Sequence, residues 1–160
     1  MTSRRGRKAS RHSARETAVQ VLYGLSFIPA ENEEALRRAF TDSPRDADGG
    51  GKTASGVQEF AWRLVAGVWR NSAAIDEAIS RFSQNWRMNR IGCVELTLLR
   101  LAAYELLFSN DAPPRVVISE ALELTEQFGE EGSKKFINGI LDAMFKAAEA
   151  GDRDKQARTR

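Results

Sequence analysis

The chain has 160 residues and a formal net charge of +2, from 24 Lys and Arg against 22 Asp and Glu. A single cysteine, Cys93, excludes an internal disulfide and fits a reducing compartment; with a single histidine, His12, it also excludes the usual zinc sites and any His-rich catalytic centre. The near-neutral sum hides a segregation: residues 1–15 carry six basic side chains and no acidic one, residues 16–151 carry 14 basic against 20 acidic, and residues 152–160 carry four against two. A basic arm on an acidic body points to a polyanionic partner rather than to a particular fold.

Residues 1–12 show no apolar periodicity and are expected to be disordered alone. Their Arg- and Ser-rich composition superficially fits an organelle transit peptide, but the apolar face of that class is missing. Order is expected to begin at Ser13-Ala14-Arg15-Glu16, a capping-box pattern in which the Ser13 hydroxyl and the Glu16 side chain satisfy each other's backbone N–H. Ala14, Ala18, Val21, Leu22 and Leu25 then share one helical face, and Glu16, Gln20, Tyr23 and Phe27 form an opposite stripe. That second stripe is open to two readings, packing on neighbouring helices or a binding surface continuous with the arm.

Pro29 ends this helix, and a short one follows around Glu33 to Phe40. Residues 41–56 read as a loop. Its Gly49-Gly50-Gly51-Lys52-Thr53 run resembles the end of a phosphate-binding loop, but Asp46 stands where the first glycine is needed and no strand precedes it. Helical spacing resumes with Val57, Phe60, Ala61, Leu64, Val65 and Val68, and again with Ile75, Ile79 and Phe82. A long helix over about Asn89 to Ser109 is apolar almost all round, as expected of a central helix, and its charged residues keep it from reading as a membrane span. After the break at Asn110 to Pro114, a helix runs from about Arg115 to Phe128 with Gly129 as its stop. The last helix is expected to start at Ser133 as N-cap, carry Phe136, Ile137, Ile140, Leu141, Met144 and Phe145, and end at Gly151.

No segment alternates as a strand does, so the expected class is all-α, about seven helices in two packed antiparallel bundles. The expected organisation is a disordered basic arm (1–12), one helical domain (13–151, with bundles of about 13–84 and 85–151) and a disordered tail (152–160). No nucleophile motif or metal-ligand spacing occurs, so neither an enzyme, a cofactor nor a metal is expected. Glu95 and Glu105 interrupt the central helix as partner-facing charges or as partners of Arg90 and Arg100. The arm has a direct warrant for nucleic acid, since Arg4, Arg5, Arg7, Lys8, Arg11 and Arg15 can displace counterions from several phosphates. A second basic spot, Lys134-Lys135, sits at a helix start, and Phe136 beside it either stacks on a base or packs in the core.

Several segments together resemble the NusB family. They are Ala14-Arg15-Glu16 through Gln20-Val21-Leu22-Tyr23, Asn85-Trp86 with Arg90-Ile91, Leu98 to Ala102 with Tyr104-Glu105-Leu106, Ser119-Glu120-Ala121 with Glu123-Leu124, and Phe136-Ile137-Asn138-Gly139-Ile140-Leu141-Asp142. The resemblance implies a two-bundle helical fold in a cytoplasmic, non-enzymatic transcription antitermination factor. It implies binding of single-stranded boxA-like RNA in nascent ribosomal transcripts, a small-subunit ribosomal protein acting as Nus factor E as partner, and assembly with RNA polymerase. It places RNA contacts on the arm through Arg11 and Arg15 and on Phe136 beside Lys134 and Lys135, and a protein-partner surface around Tyr23 and Glu95; Gln20 joins the RNA-contact candidates from its place on the stripe that continues the arm. Two positions depart from the family pattern: His12 and Ser13 interrupt its basic cluster, and Gly132 stands where an acidic residue is frequent. Two alternatives stay open, the accessory domain of a ribosomal RNA cytosine methyltransferase and a helical protein-interaction module.

Overall fold

The computed structural model describes residues 4–43, 54–83 and 90–159. Among them are seven α-helices and no strand: α1 (Arg4–Leu25), α2 (Glu33–Asp42), α3 (Ala54–Arg70), α4 (Ser72–Phe82), α5 (Cys93–Leu107), α6 (Pro114–Phe128) and α7 (Ser133–Arg158). They form two compact units, residues 1–70 and 71–160. The expected loop lies mostly outside the described residues, as do Asn85, Trp86 and Asn89.

In the first unit α1 lies along α3, and α2 packs against both. Ala14, Ala18, Val21 and Leu22 of α1 are buried, as are Phe60, Ala61, Leu64, Val65 and Val68 of α3, so the spacing that marked these helices is their packing stripe. Asn32 caps α2 by accepting from the Ala35 N–H at 2.8 Å, and Leu36 and Phe40 are its buried residues. Arg70 at the end of α3 donates to Glu33 at 2.6 Å, and that hydrogen bond holds the Glu33 carboxyl below its ordinary value.

In the second unit α5 is central and touches α4, α6 and α7. Its buried residues include Leu98, Leu99, Leu101, Ala102 and Ala103, which explains the lack of a polar face. Arg100 forks onto Asp76 of α4 with two bonds of 2.8 and 3.0 Å. The sequence boundary near residue 85 put α4 with the first bundle, whereas α4 packs on α5 and α7. Ile75 and Ile79 face that core, and helical spacing cannot say which bundle an apolar stripe enters.

Four other expectations differ at helix ends. Residues 4–12, expected to be disordered, are the first turns of α1, and Ser13 lies inside the helix rather than capping it. The His12–Glu16 pair at 3.0 Å supports the helix there, while the Ser10 hydroxyl turns back onto the Gly6 carbonyl at 2.8 Å. The tail beyond Gly151 continues α7 to Arg158, with Lys155 and Arg158 in the last turn where the helix dipole favours cations. The N-cap of α7 is Gly132, not Ser133, with a left-handed φ of 91°. Glycine takes that conformation without strain, whereas a residue with a β-carbon would be strained there. No described helix is long and apolar enough to cross a membrane.

Candidate nucleic-acid interface

The basic arm is built into the first half of α1. At 100° per residue, positions 8, 11 and 15 fall on one face. Arg5 and Lys8 are exposed and Arg11 is half-buried. Arg15 is only 2% exposed, so it belongs to the packing of the unit rather than to its surface. The cause is Phe60 of α3, a buried ring that receives the Arg11 guanidinium carbon at 4.9 Å and that of Arg15 at 5.5 Å from its centroid. A guanidinium over a ring is held by the ring quadrupole and packs as a flat apolar plate.

A third guanidinium, that of Arg63, lies 5.5 Å from the same centroid. Neither Phe60 nor Arg63 was singled out from sequence as a site residue, because Phe60 reads as ordinary core. The available signal was their spacing of three residues, which puts them on adjacent faces of one helix.

Farther along α1, Gln20 and Tyr23 are exposed. The Tyr23 ring meets Phe27 edge-to-face at 5.1 Å. Phe27 is 64% and Ile28 80% exposed, so the stripe that had two readings ends in an apolar surface patch.

The second basic spot begins α7. Lys134 and Lys135 are exposed, and Lys134 pairs with Glu126 of α6. Phe136 is half-buried, between the exposed lysines and the buried Ile137. That intermediate burial favours neither of its two readings over the other.

Glu95, expected on a partner-facing surface, is buried at 9% exposure. Its carboxylate accepts from the Ser133 hydroxyl at 2.8 Å and from the Glu130 N–H at 3.3 Å. Burial opposes its ionisation, but the Ser133 bond and the backbone N–H groups of Glu95 and Glu130 outweigh burial and hold the carboxyl below its ordinary value. Gly92 makes room for it, and Gly129 lies beside it in ordinary contact, kept small by the Thr125 carbonyl. A β-carbon on Gly92 would stand 2.3 Å from its Oε2, and one on Gly129 would stand 3.6 Å from its Oε1 and 2.8 Å from the Thr125 carbonyl. The carboxylate thus sits at the starts of two helices, α5 and α7, where backbone N–H groups favour an anion.

Among the described residues, no buried side-chain nitrogen or oxygen lacks a hydrogen-bond partner. The surface offers cations, exposed amides and aromatic rings for binding.

The model of the NusB family matches residues 12–146. A transcription antitermination protein NusB from Desulfovibrio desulfuricans is 58% identical over 150 residues, covering 92% of each chain. One from Nitratidesulfovibrio vulgaris is 51% identical over 154 residues, covering 91% of this chain and 93% of its own. Among solved structures, NusB of T. maritima superposes with a TM-score of 0.72 at 34% identity, covering 85% of this chain and 90% of its own. A structure of the antitermination factors NusB and NusE with double-stranded RNA gives 0.70 at 30% identity, covering 87% of this chain and 98% of the other.

Proposed function

The chain belongs to the NusB family of transcription antitermination proteins, and from that premise we propose that it binds boxA-type RNA of nascent ribosomal transcripts jointly with a NusE-type ribosomal protein. The pair then joins RNA polymerase and keeps it reading through termination signals, in the cytoplasm where those transcripts are made. The role is that of a scaffold and asks for no catalysis.

The observation that carries this reading is the run of basic positions along the first half of α1, with Arg11 held on Phe60 at 4.9 Å. A helix that projects Arg5, Lys8 and Arg11 from one end attracts phosphates and releases their counterions. Phosphate contacts fix position but carry no sequence information, so selectivity must come from base contacts. We assign these to Phe136, with Lys134, Lys135 and Gln20 nearby in role. A ring that stacks on a base needs that base unpaired, which is the reason for proposing a single-stranded target. The NusB–NusE relative of known structure holds double-stranded RNA, and the two forms are arms of the test below.

The protein partner is assigned to Tyr23 with Phe27 and Ile28, an exposed apolar patch on an acidic body. A basic ribosomal protein meeting such a body gains in association rate from opposite charge.

Filter binding with boxA-type and scrambled RNA, single- and double-stranded, with and without the ribosomal protein, tests the reading. The expected result is preference for single-stranded boxA-type RNA, strengthened by the partner. Equal affinity for every RNA under all conditions overturns it. Phe136→Ala is expected to weaken boxA binding by about 1–3 kcal/mol, the usual worth of one stacked base. Because the ring is only half-buried, the same change should destabilise the fold by less than the roughly 3–5 kcal/mol of a fully buried phenylalanine. Thermal melts beside the titration separate the two effects.

A further inference from the structure

We propose that Arg63 of α3 is a phosphate contact of the RNA-binding face, and that Phe60 is the positioning residue that sets Arg63 and Arg11 side by side. The proposal rests on the RNA-binding reading above and adds a second helix to the surface.

Arg63 lies far from the basic arm in sequence, in the acidic part of the chain. Its guanidinium carbon nevertheless stands 5.5 Å from the centroid of the ring that holds Arg11 at 4.9 Å. Two charges that close to one point lie within about one Debye length, 8–10 Å at physiological salt, so a polyanion meets them as one patch. The burial is graded around the ring. Arg15 is buried, Arg11 half-buried and Arg63 exposed, while Phe60 itself is buried. The inner arginine fixes α1 to α3, and the outer two carry the charge outward.

Stacking suits this task. A guanidinium lying over a ring keeps its N–H donors in its own plane, where a phosphate can reach them. A side chain already ordered on a buried ring also loses less freedom when it binds than a solvated one does. Lys8 and Arg5 supply attraction; Arg11 and Arg63 supply attraction from fixed positions.

The same unit contains its own control. Arg37 of α2 stands 4.6 Å over the ring of Trp62, which in turn meets Phe40 at 5.5 Å. Trp62 and Phe60 are two residues apart on α3, about 200° around the helix, so the second stack lies on another side. Arg37 and Arg63 are both exposed arginines on aromatic rings. They differ in whether the arm is beside them.

The experiment measures boxA-type RNA binding by the full chain with its ribosomal partner across a salt series. Arg63→Ala is expected to weaken binding about fivefold and to flatten the salt dependence by about one phosphate contact. Arg37→Ala is expected to leave both near the wild type. Arg63→Lys keeps the charge without the planar stack and should fall between. Phe60→Leu keeps the site apolar but removes the ring, and should flatten the salt slope in the same direction as Arg63→Ala. If Arg63→Ala behaves like Arg37→Ala while the wild type binds boxA, the α3 contact is overturned. If Phe60→Leu leaves the salt slope unchanged, the positioning role is overturned. A wild type that shows no salt-dependent RNA binding overturns the reading beneath and takes this proposal with it.

Discussion

A chain lacking residues 1–12 is expected to bind boxA-type RNA roughly a hundredfold more weakly than the full chain, with a salt slope shallower by about two to three. The truncation removes Arg4, Arg5, Arg7, Lys8 and Arg11 but leaves Arg15 on Phe60. The fold should survive it. The new N-terminus is Ser13-Ala14-Arg15-Glu16, and the capping box that lies unused inside α1 becomes the start of a shorter helix. Ala14, Ala18, Val21 and Leu22 still pack. Losing the Arg11 stack costs about 0.5–1 kcal/mol, small beside the 5–15 kcal/mol of a typical domain. Near-equal melting with a large loss of RNA affinity is the expected pair of results. An unchanged salt slope would show that phosphates are held elsewhere.

The second large effect is on stability. Glu95→Ala is expected to destabilise the protein by about 1–3 kcal/mol, because it strips a part-buried hydroxyl and a part-buried backbone N–H of their acceptor. Both lost bonds, to Ser133 and Glu130, join α5 to the start of α7. The melting temperature should fall by roughly 5–10 °C in a chain of this size. The pH dependence has a definite sign. The Glu95 carboxyl is held below its ordinary value of 4.5, so its contribution is complete above that value and disappears as pH falls through the lower, folded-state value. Glu95→Gln can still accept from Ser133 but cannot ionise, so its deficit against the wild type should shrink on acidification. Melts of the three proteins at neutral pH and through the acid range check both points. Equal stability of Glu95→Ala and wild type would remove the carboxylate from any structural role.

Much of the fold was legible because helices report themselves through spacing. Leu36 with Phe40, Phe60 with Leu64, and Ile137 with Ile140 and Leu141 each marked a buried face, and all are buried. The all-round apolar character of residues 94–106 marked the central helix, which α4, α6 and α7 surround. What escaped was decided by partners distant in sequence. The helical start of α1 carries no apolar repeat, and Phe60, the ring that receives Arg11 and Arg15, lies on a different helix. Glu95 looked like a surface charge because its bonding partners lie 35 and 38 residues later. The assignment of α4 to a bundle had the same difficulty, since Ile75 and Ile79 would serve either core.

For the candidate site, charge was readable and geometry was not. The arm and Lys134-Lys135 stood out by composition. That Arg15 would be buried, that Lys134 would pair with Glu126, and that Arg63 would join Arg11 at one ring all depend on tertiary packing. For Tyr23 and Phe27 periodicity leaned toward packing on the neighbouring bundle rather than a binding surface, whereas both side chains are exposed.

The shared ring at Phe60 divides the arm into two classes of evolutionary freedom. At positions 5 and 8 a cation acts by charge alone, so Lys and Arg are interchangeable and a charge lost at one site can be regained at the next. Positions 11 and 15 lie over the ring, where a planar, weakly hydrated guanidinium suits the contact better than a compact ammonium does. Drift in the basic arm of related chains should therefore preserve net charge in the first turns and residue identity at the last two arginines, with Phe60 varying only to another aromatic.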